Sequence, residues 1–305
     1  MTPVDSHRNP PLPKTNSLVI APVRGRKALN EFIRLPWSLY QDDPMWVPPL
    51  LLERRMHLSP KNPYFEHATY CAWLAYRNAK PVGRISAQVD QLHLDRYRDA
   101  TGFFGLLEAE DQAETFQALL DTAGSWLRDQ GMQRVLGPFN LSINQECGLL
   151  VAGFDTAPSV MMGHARPYYG PRIEQYGYQK VKDLLAYRIR GNFERSAAMK
   201  TILARAKGRV QTRPIRKSRF QEDLDVIQDI YNDAWSQNWG FIPFTQKEFE
   251  HLGNDLKLLV DEELVRIAEV DSVAAAFIAV LPNLNEAIRD LNGRLLPFGW
   301  LKLLW

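Results

Sequence analysis

The sequence predicts an α/β protein built as a mixed sheet flanked by helices. Three observations carry that expectation. Residues 101–140 read as strand, helix, strand, and two strands joined by a helix form a parallel crossover unit. Residues 71–76 and 82–89 read as an antiparallel hairpin around a polar turn at 77–81. The apolar share of 45%, with 11% aromatics over 305 residues, is ample for packed cores and long enough for two domains.

Each element has its own signal. Residues 1–17 hold Pro3, Pro10, Pro11 and Pro13 among polar side chains and read as a flexible tail. A first strand comes next at 17–23, and the spacing of Leu29, Phe32, Ile33 and Leu35 predicts a helix interrupted near Pro36. Residues 50–57 suit a second helix. In the hairpin, Ile85, Ala87 and Val89 alternate with Arg84, Ser86 and Gln88, the period of a half-buried strand. In the crossover unit, 101–107 is a short apolar strand. Asp111 opens a helix with Glu114 at capping-box spacing, and Phe116, Leu119, Leu120 and Leu127 form its apolar face. Gly131 ends that helix and Pro138 ends the next strand. A short helix is expected at 168–174 and a strand at 181–189. From 196 the same order starts again: helix, strand at 210–215, helices at 220–235 and from 244, and a hairpin around Asp271 and Ser272.

Composition narrows the function classes. A net charge of +2 gives no bulk attraction to nucleic acid. Two cysteines, Cys71 and Cys147, are too few for a disulfide framework and point to a reducing cytoplasm. No apolar run reaches the ~20 residues of a spanning helix, and no metal-ligand spacing is present.

Several groups are candidates for chemistry, each with a plainer alternative. Asn140, Ser142, Asn144 and Glu146 come after a strand end, where open sheets bind ligands. There Glu146 is placed to deprotonate an amine; the alternative is a loop bonded to itself. Tyr168 and Tyr169 are either acids for a leaving group or ordinary packed aromatics. Asn238, Trp239 and Phe241 suit an acceptor wall or a core edge. The basic run from Arg205 to Arg219 suits contact with nucleic acid or a phosphate, against a solvated face countered by Glu222 and Asp223, which is the favoured reading.

The element order, with residues 166–178 carrying tyrosines into a Tyr-Gly-Tyr ending, resembles the GNAT (Gcn5-related) acyltransferases. Residues 46–49, 137–148 and 231–241 are similar to a bacterial family with two GNAT-like halves. That resemblance implies tandem domains at 18–190 and 191–305, the second incomplete. It implies an acyl-CoA-dependent N-acyltransferase in which Tyr169 and Glu146 do the proton chemistry on a small-molecule or peptide amine. A binding protein that has kept the fold without catalysis is the alternative. GNAT enzymes hold the coenzyme A pyrophosphate on a glycine-bearing turn at a helix start. Residues 107–112 stand at that place and carry three carboxylates and no glycine, which repels a pyrophosphate. On this reading the acyl-CoA site of the second half lies beyond Trp305.

Overall fold

The computed structural model describes residues 17–189, 192, 194–257 and 260–303. Among them, one compact unit takes the residues of 1–179 and 283–305, and a second takes 180–282. The sequence assigns 283–303 to the second half. Those residues instead meet the first unit, where Trp37 Nε1 donates to Asn292 Oδ1 (2.6 Å) and Leu51 N to Gly293 O (3.0 Å).

The first unit runs β1 (Val19–Pro22), α1 (Gly25–Leu39), α2 (Leu51–His57), β2 (Ala68–Arg77), β3 (Lys80–Asp90), α3 (Gln91–Tyr97), β4 (Thr101–Ala109), α4 (Ala113–Asp129), β5 (Arg134–Leu136) and α5 (Tyr169–Gln175). The strands lie in the order β1-β2-β3-β4-β5. All pairs are antiparallel except β4–β5, which is parallel, so the sheet is mixed. One face packs Trp73, Ile85 and Phe104 against Phe116, Leu119 and Leu120 of α4. The other packs Leu74, Tyr76 and Leu106 against Phe32 and Leu35 of α1. Both faces are therefore covered by helices.

Local chemistry explains the boundaries. Asn78 and Ala79, at φ 52° and 59°, form the tight turn between β2 and β3. Helix α1 continues through Pro36 instead of breaking there. Helix α4 begins at Ala113 with Gln112 as its uncapped lead residue, so the expected Asp111–Glu114 capping box does not form. Asp111 is drawn away to Arg172 (2.8 Å) and Glu114 to Arg77 (2.9 Å). Helix α3, capped by the Asp90 side chain on Leu92 N (2.9 Å), carries a signal that the alternation of β3 obscures.

The second unit contains α6 (Ala197–Ala206), β6 (Val210–Pro214), α7 (Phe220–Ala234), α8 (Gln246–Leu256), β7 (Val265–Val270) and β8 (Val273–Ala279). Its sheet is β6-β7-β8, all antiparallel. A capping box of Thr245 and Glu248 starts α8. A short α9 (Leu284–Ile288) belongs to the first unit. Residues 181–189 form no strand: their apolar side chains are exposed on both parities, so neither face has a core to pack on. Among the described residues no helix is long and apolar enough to cross a membrane.

Candidate active site

The candidate residues Asn140 to Glu146 follow the point where β4 and β5 part. Their parallel pairing spans only Thr101–Phe103 against Arg134–Leu136. Phe139 N then reaches Phe104 O (2.8 Å), and the chains diverge. Gly105 is required at that crossing, because a Cβ there would stand 1.7 Å from Phe139 O. One residue on, β4 bulges: the β3–β4 register slips and Leu106 takes a φ of 47°. The Leu106 N–H leaves the ladder and is taken by Asn140 Oδ1 at 2.7 Å.

Asn140 is therefore a hinge between strand and loop. Its Nδ2 donates to Glu146 Oε1 (2.9 Å), while its backbone N–H donates to Glu146 O (2.9 Å). The loop is pinned from below by Gln88 Nε2 on Phe139 O (2.7 Å) and by the Tyr64 hydroxyl on Leu141 O (3.0 Å). A half-buried carboxylate on a braced loop results, with Gly163 passing close to its Oε1.

Within electrostatic reach of it is a group that the sequence does not single out. Locally Glu108 belongs to an acidic loop, yet it is the penultimate residue of β4. Its Oε2 accepts from the hydroxyls of Tyr40 (2.8 Å) and Tyr169 (2.7 Å). Arg84 Nη2 stands 3.6 Å from Oε1, and Arg84 Nη1 donates to Phe32 O (2.8 Å). The Phe32 ring lies 5.0 Å from the guanidinium carbon. Burial pushes the Glu108 carboxyl above the usual carboxylate range; Arg84 opposes the shift and Glu146 adds to it. Burial likewise lowers the Arg84 pKa. By alternation Arg84, Ser86 and Gln88 form the wet face of β3. All three are buried, because β3 is central in a sheet covered on both sides. A polar triplet on a central strand was the available signal.

The remaining candidates separate by place. Tyr169 is buried, and its oxygen also accepts from Ala109 N (3.1 Å), so both capacities of the hydroxyl are used. Burial first, then Glu108, raise its pKa well above that of a free phenol. Tyr168 donates to Ala109 O (2.8 Å), and burial pushes it up to about 12. Ser142 Oγ accepts from Asn144 N (3.1 Å), which shapes the loop. Asn238, Trp239 and Phe241 belong to the second unit, where Phe241 is buried near Tyr231 and Trp239 is exposed. The thiols of Cys71 and Cys147 are raised by burial, the reverse of an activated nucleophile.

The start of α4 does not suit a pyrophosphate. Glu110 and Glu114 converge on Arg77, and Asp111 on Arg172, so the nearby guanidiniums are already engaged by carboxylates. The later part of the basic run is similarly spent: Arg213 and Arg216 both meet Asp223, and Arg219 meets Glu222.

Comparison with known proteins adds two close relatives. The chain is 49% identical over 278 residues to Protein YghO of Escherichia coli K12, covering 91% of this chain and 71% of that protein. It is 46% identical over 300 residues to the bacterial ceramide synthase of Caulobacter vibrioides, covering 97% of this chain and 78% of that protein. No family model matches. Among solved structures, an aminoglycoside N-acetyltransferase in complex with CoA aligns over 59% of this chain and 99% of its own, at a TM-score of 0.34 and 12% identity. A likeness that slight decides nothing about substrate or site residues.

Proposed function

The chain belongs to the family of Protein YghO and bacterial ceramide synthase, and from that premise we propose that it is an N-acyltransferase. Ceramide is the amide of a fatty acid and a long-chain amino alcohol. The proposed acceptor is accordingly the amine of such a lipid, and the donor a fatty acyl thioester of the acyl-CoA type. The observation that carries the reading is the Asn140–Glu146 pair at the parting of β4 and β5, a carboxylate held by a side chain that also secures the strand bulge.

The roles come from chemistry. An amine attacks only as the free base, and the ammonium formed on attack must lose a proton. Glu146 takes that proton as the C–N bond forms and the C–S bond breaks. Glu146 then passes that proton to the departing thiolate, directly or through solvent, which gives the thiol, restores the carboxylate and balances charge and protons. Glu108, with its raised carboxyl and two tyrosine donors, sets the field beside Glu146. Tyr169, with its hydroxyl committed to Glu108, is a positioning residue in this proposal. No role is assigned to the start of α4.

The carboxylate-rich turn at Glu110 and Asp111 favours the second reading, a binding protein of the same fold without catalysis. One substitution separates the two. Glu146→Gln should lower amide formation between palmitoyl-CoA and sphinganine by ~10²–10⁴, with the melting temperature nearly unchanged. No amide from the wild-type protein would support the binding reading. Full activity in Glu146→Gln would assign the carboxylate to the loop alone.

A further inference from the structure

We propose that helix α6 is a docking element for an anionic lipid bilayer surface. Met199, Ile202, Leu203 and Ala206 fall at i, i+3, i+4 and i+7, a single apolar stripe. In a globular protein such a stripe faces a core. Here no residue of the helix is buried, and Ile202 is 65% exposed. Apolar side chains of the preceding described segment are exposed as well: Leu184, Leu185, Tyr187 and Ile189, with Tyr187 at 77%.

Charge selects the occupant. Residues 196–209 contain Lys200, Arg205, Lys207 and Arg209 and no acidic residue. Lys200 and Arg205 fall on opposite edges of the stripe by helical geometry, where long cationic side chains lie flat and reach outward. Arg209 is held by Asp271 (3.0 Å), whereas Lys200, Arg205 and Lys207 make no ion pair with a described residue. This contrasts with Arg213, Arg216 and Arg219 further along, each of which meets an acid. An apolar stripe between unpaired cations matches an interface whose interior is hydrocarbon and whose surface is anionic. A second copy of the chain fits less well, because a symmetric pairing of α6 with itself would bring like charges together. Nucleic acid offers no use for the apolar stripe. The inference does not depend on the acyltransferase reading.

Flotation of the full-length protein with lipid vesicles tests it. The wild type should float with vesicles containing phosphatidylglycerol, stay behind with phosphatidylcholine alone, and be released by high salt. The double variant Ile202→Asp, Leu203→Asp should lose about tenfold or more of that binding. Lys200→Glu with Arg205→Glu should weaken it as well. All four positions are exposed, so circular dichroism and melting temperature should be unchanged. Failure of the wild type to float, equal binding to both vesicle types, or full binding by the Ile202→Asp, Leu203→Asp variant would each overturn the proposal. So would a variant that alters only the oligomeric state in gel filtration while vesicle binding persists.

Discussion

Asp223 on α7 and Glu108 on β4 are both shielded carboxylates facing arginine, one in each unit, and their surroundings treat them in opposite ways. The Asp223 side chain is 1% exposed. It accepts from Arg216 Nη2 (2.6 Å) and the Arg216 backbone N–H (2.7 Å), and Arg213 Nη1 lies 2.9 Å away. Burial alone would raise its pKa, but these donors overcome burial and hold it below the usual range. Glu108, 14% exposed, has its arginine at 3.6 Å and, among the described residues, phenolic hydroxyls as its hydrogen-bond donors. Burial wins there, and the neighbouring Glu146 reinforces it. Arg84 Nε has no hydrogen-bond partner among the described residues. A closed ion pair is what a scaffold needs. A carboxylate left short of compensation is tolerated where its proton is of use.

Matched amide substitutions give the largest test of that difference. Asp223→Asn leaves two guanidiniums facing a neutral group and should cost ~3 kcal/mol, at the low end for a broken buried pair because both arginines remain partly exposed to screening water. Glu108→Gln retains an acceptor for the Tyr40 and Tyr169 hydroxyls and should cost only ~1 kcal/mol. Amide hydrogen exchange resolved by peptide would report the first loss in β6 and β7 and the second in β4. Equal losses would mean that the Glu108–Arg84 pair is as closed as the one at Asp223.

Much of the fold was legible because its signals are local. Apolar spacing in α4, the breakers around the β2–β3 turn and the opening of β6–α7 each depend on a short window. The parallel β4–β5 pair is dictated by a helix lying between two strands. Asn140 and Glu146 were legible as a polar group after a strand end, though not as a hydrogen-bonded pair. Glu108 was not legible: read locally, Glu108, Glu110 and Asp111 make one acidic turn. Only the strand register shows that the first faces Arg84 while the others face Arg77 and Arg172. The alternation of β3 was right in period and wrong in environment, since period alone does not say what covers the polar face. Residues 181–189 alternate like a strand but have no ladder partner among the described residues, and partnership is not a local property.

The smallest expected effect is in pH, and its sign separates the two carboxylates. Asp223 has a depressed folded pKa. Its contribution is fully present above the unfolded value of about 3.9 and is lost as pH falls through the lower folded value. Glu108 has a raised folded pKa, so the folded state there binds more protons than the unfolded chain. Its unit loses stability as pH rises from the unfolded value of about 4.3 through the higher folded value. Neither slope can exceed ~1.4 kcal/mol per pH unit, the limit for one proton. Exchange rates corrected for the intrinsic pH dependence should therefore show β4 loosening on the alkaline side of that range and β6–β7 loosening on the acid side. Glu108→Gln should flatten the first trend and leave the second; Asp223→Asn should do the reverse. If Glu108→Gln left the alkaline trend in β4 untouched, Glu108 would not be the group that titrates there, and its place beside Glu146 would lose its electrostatic meaning.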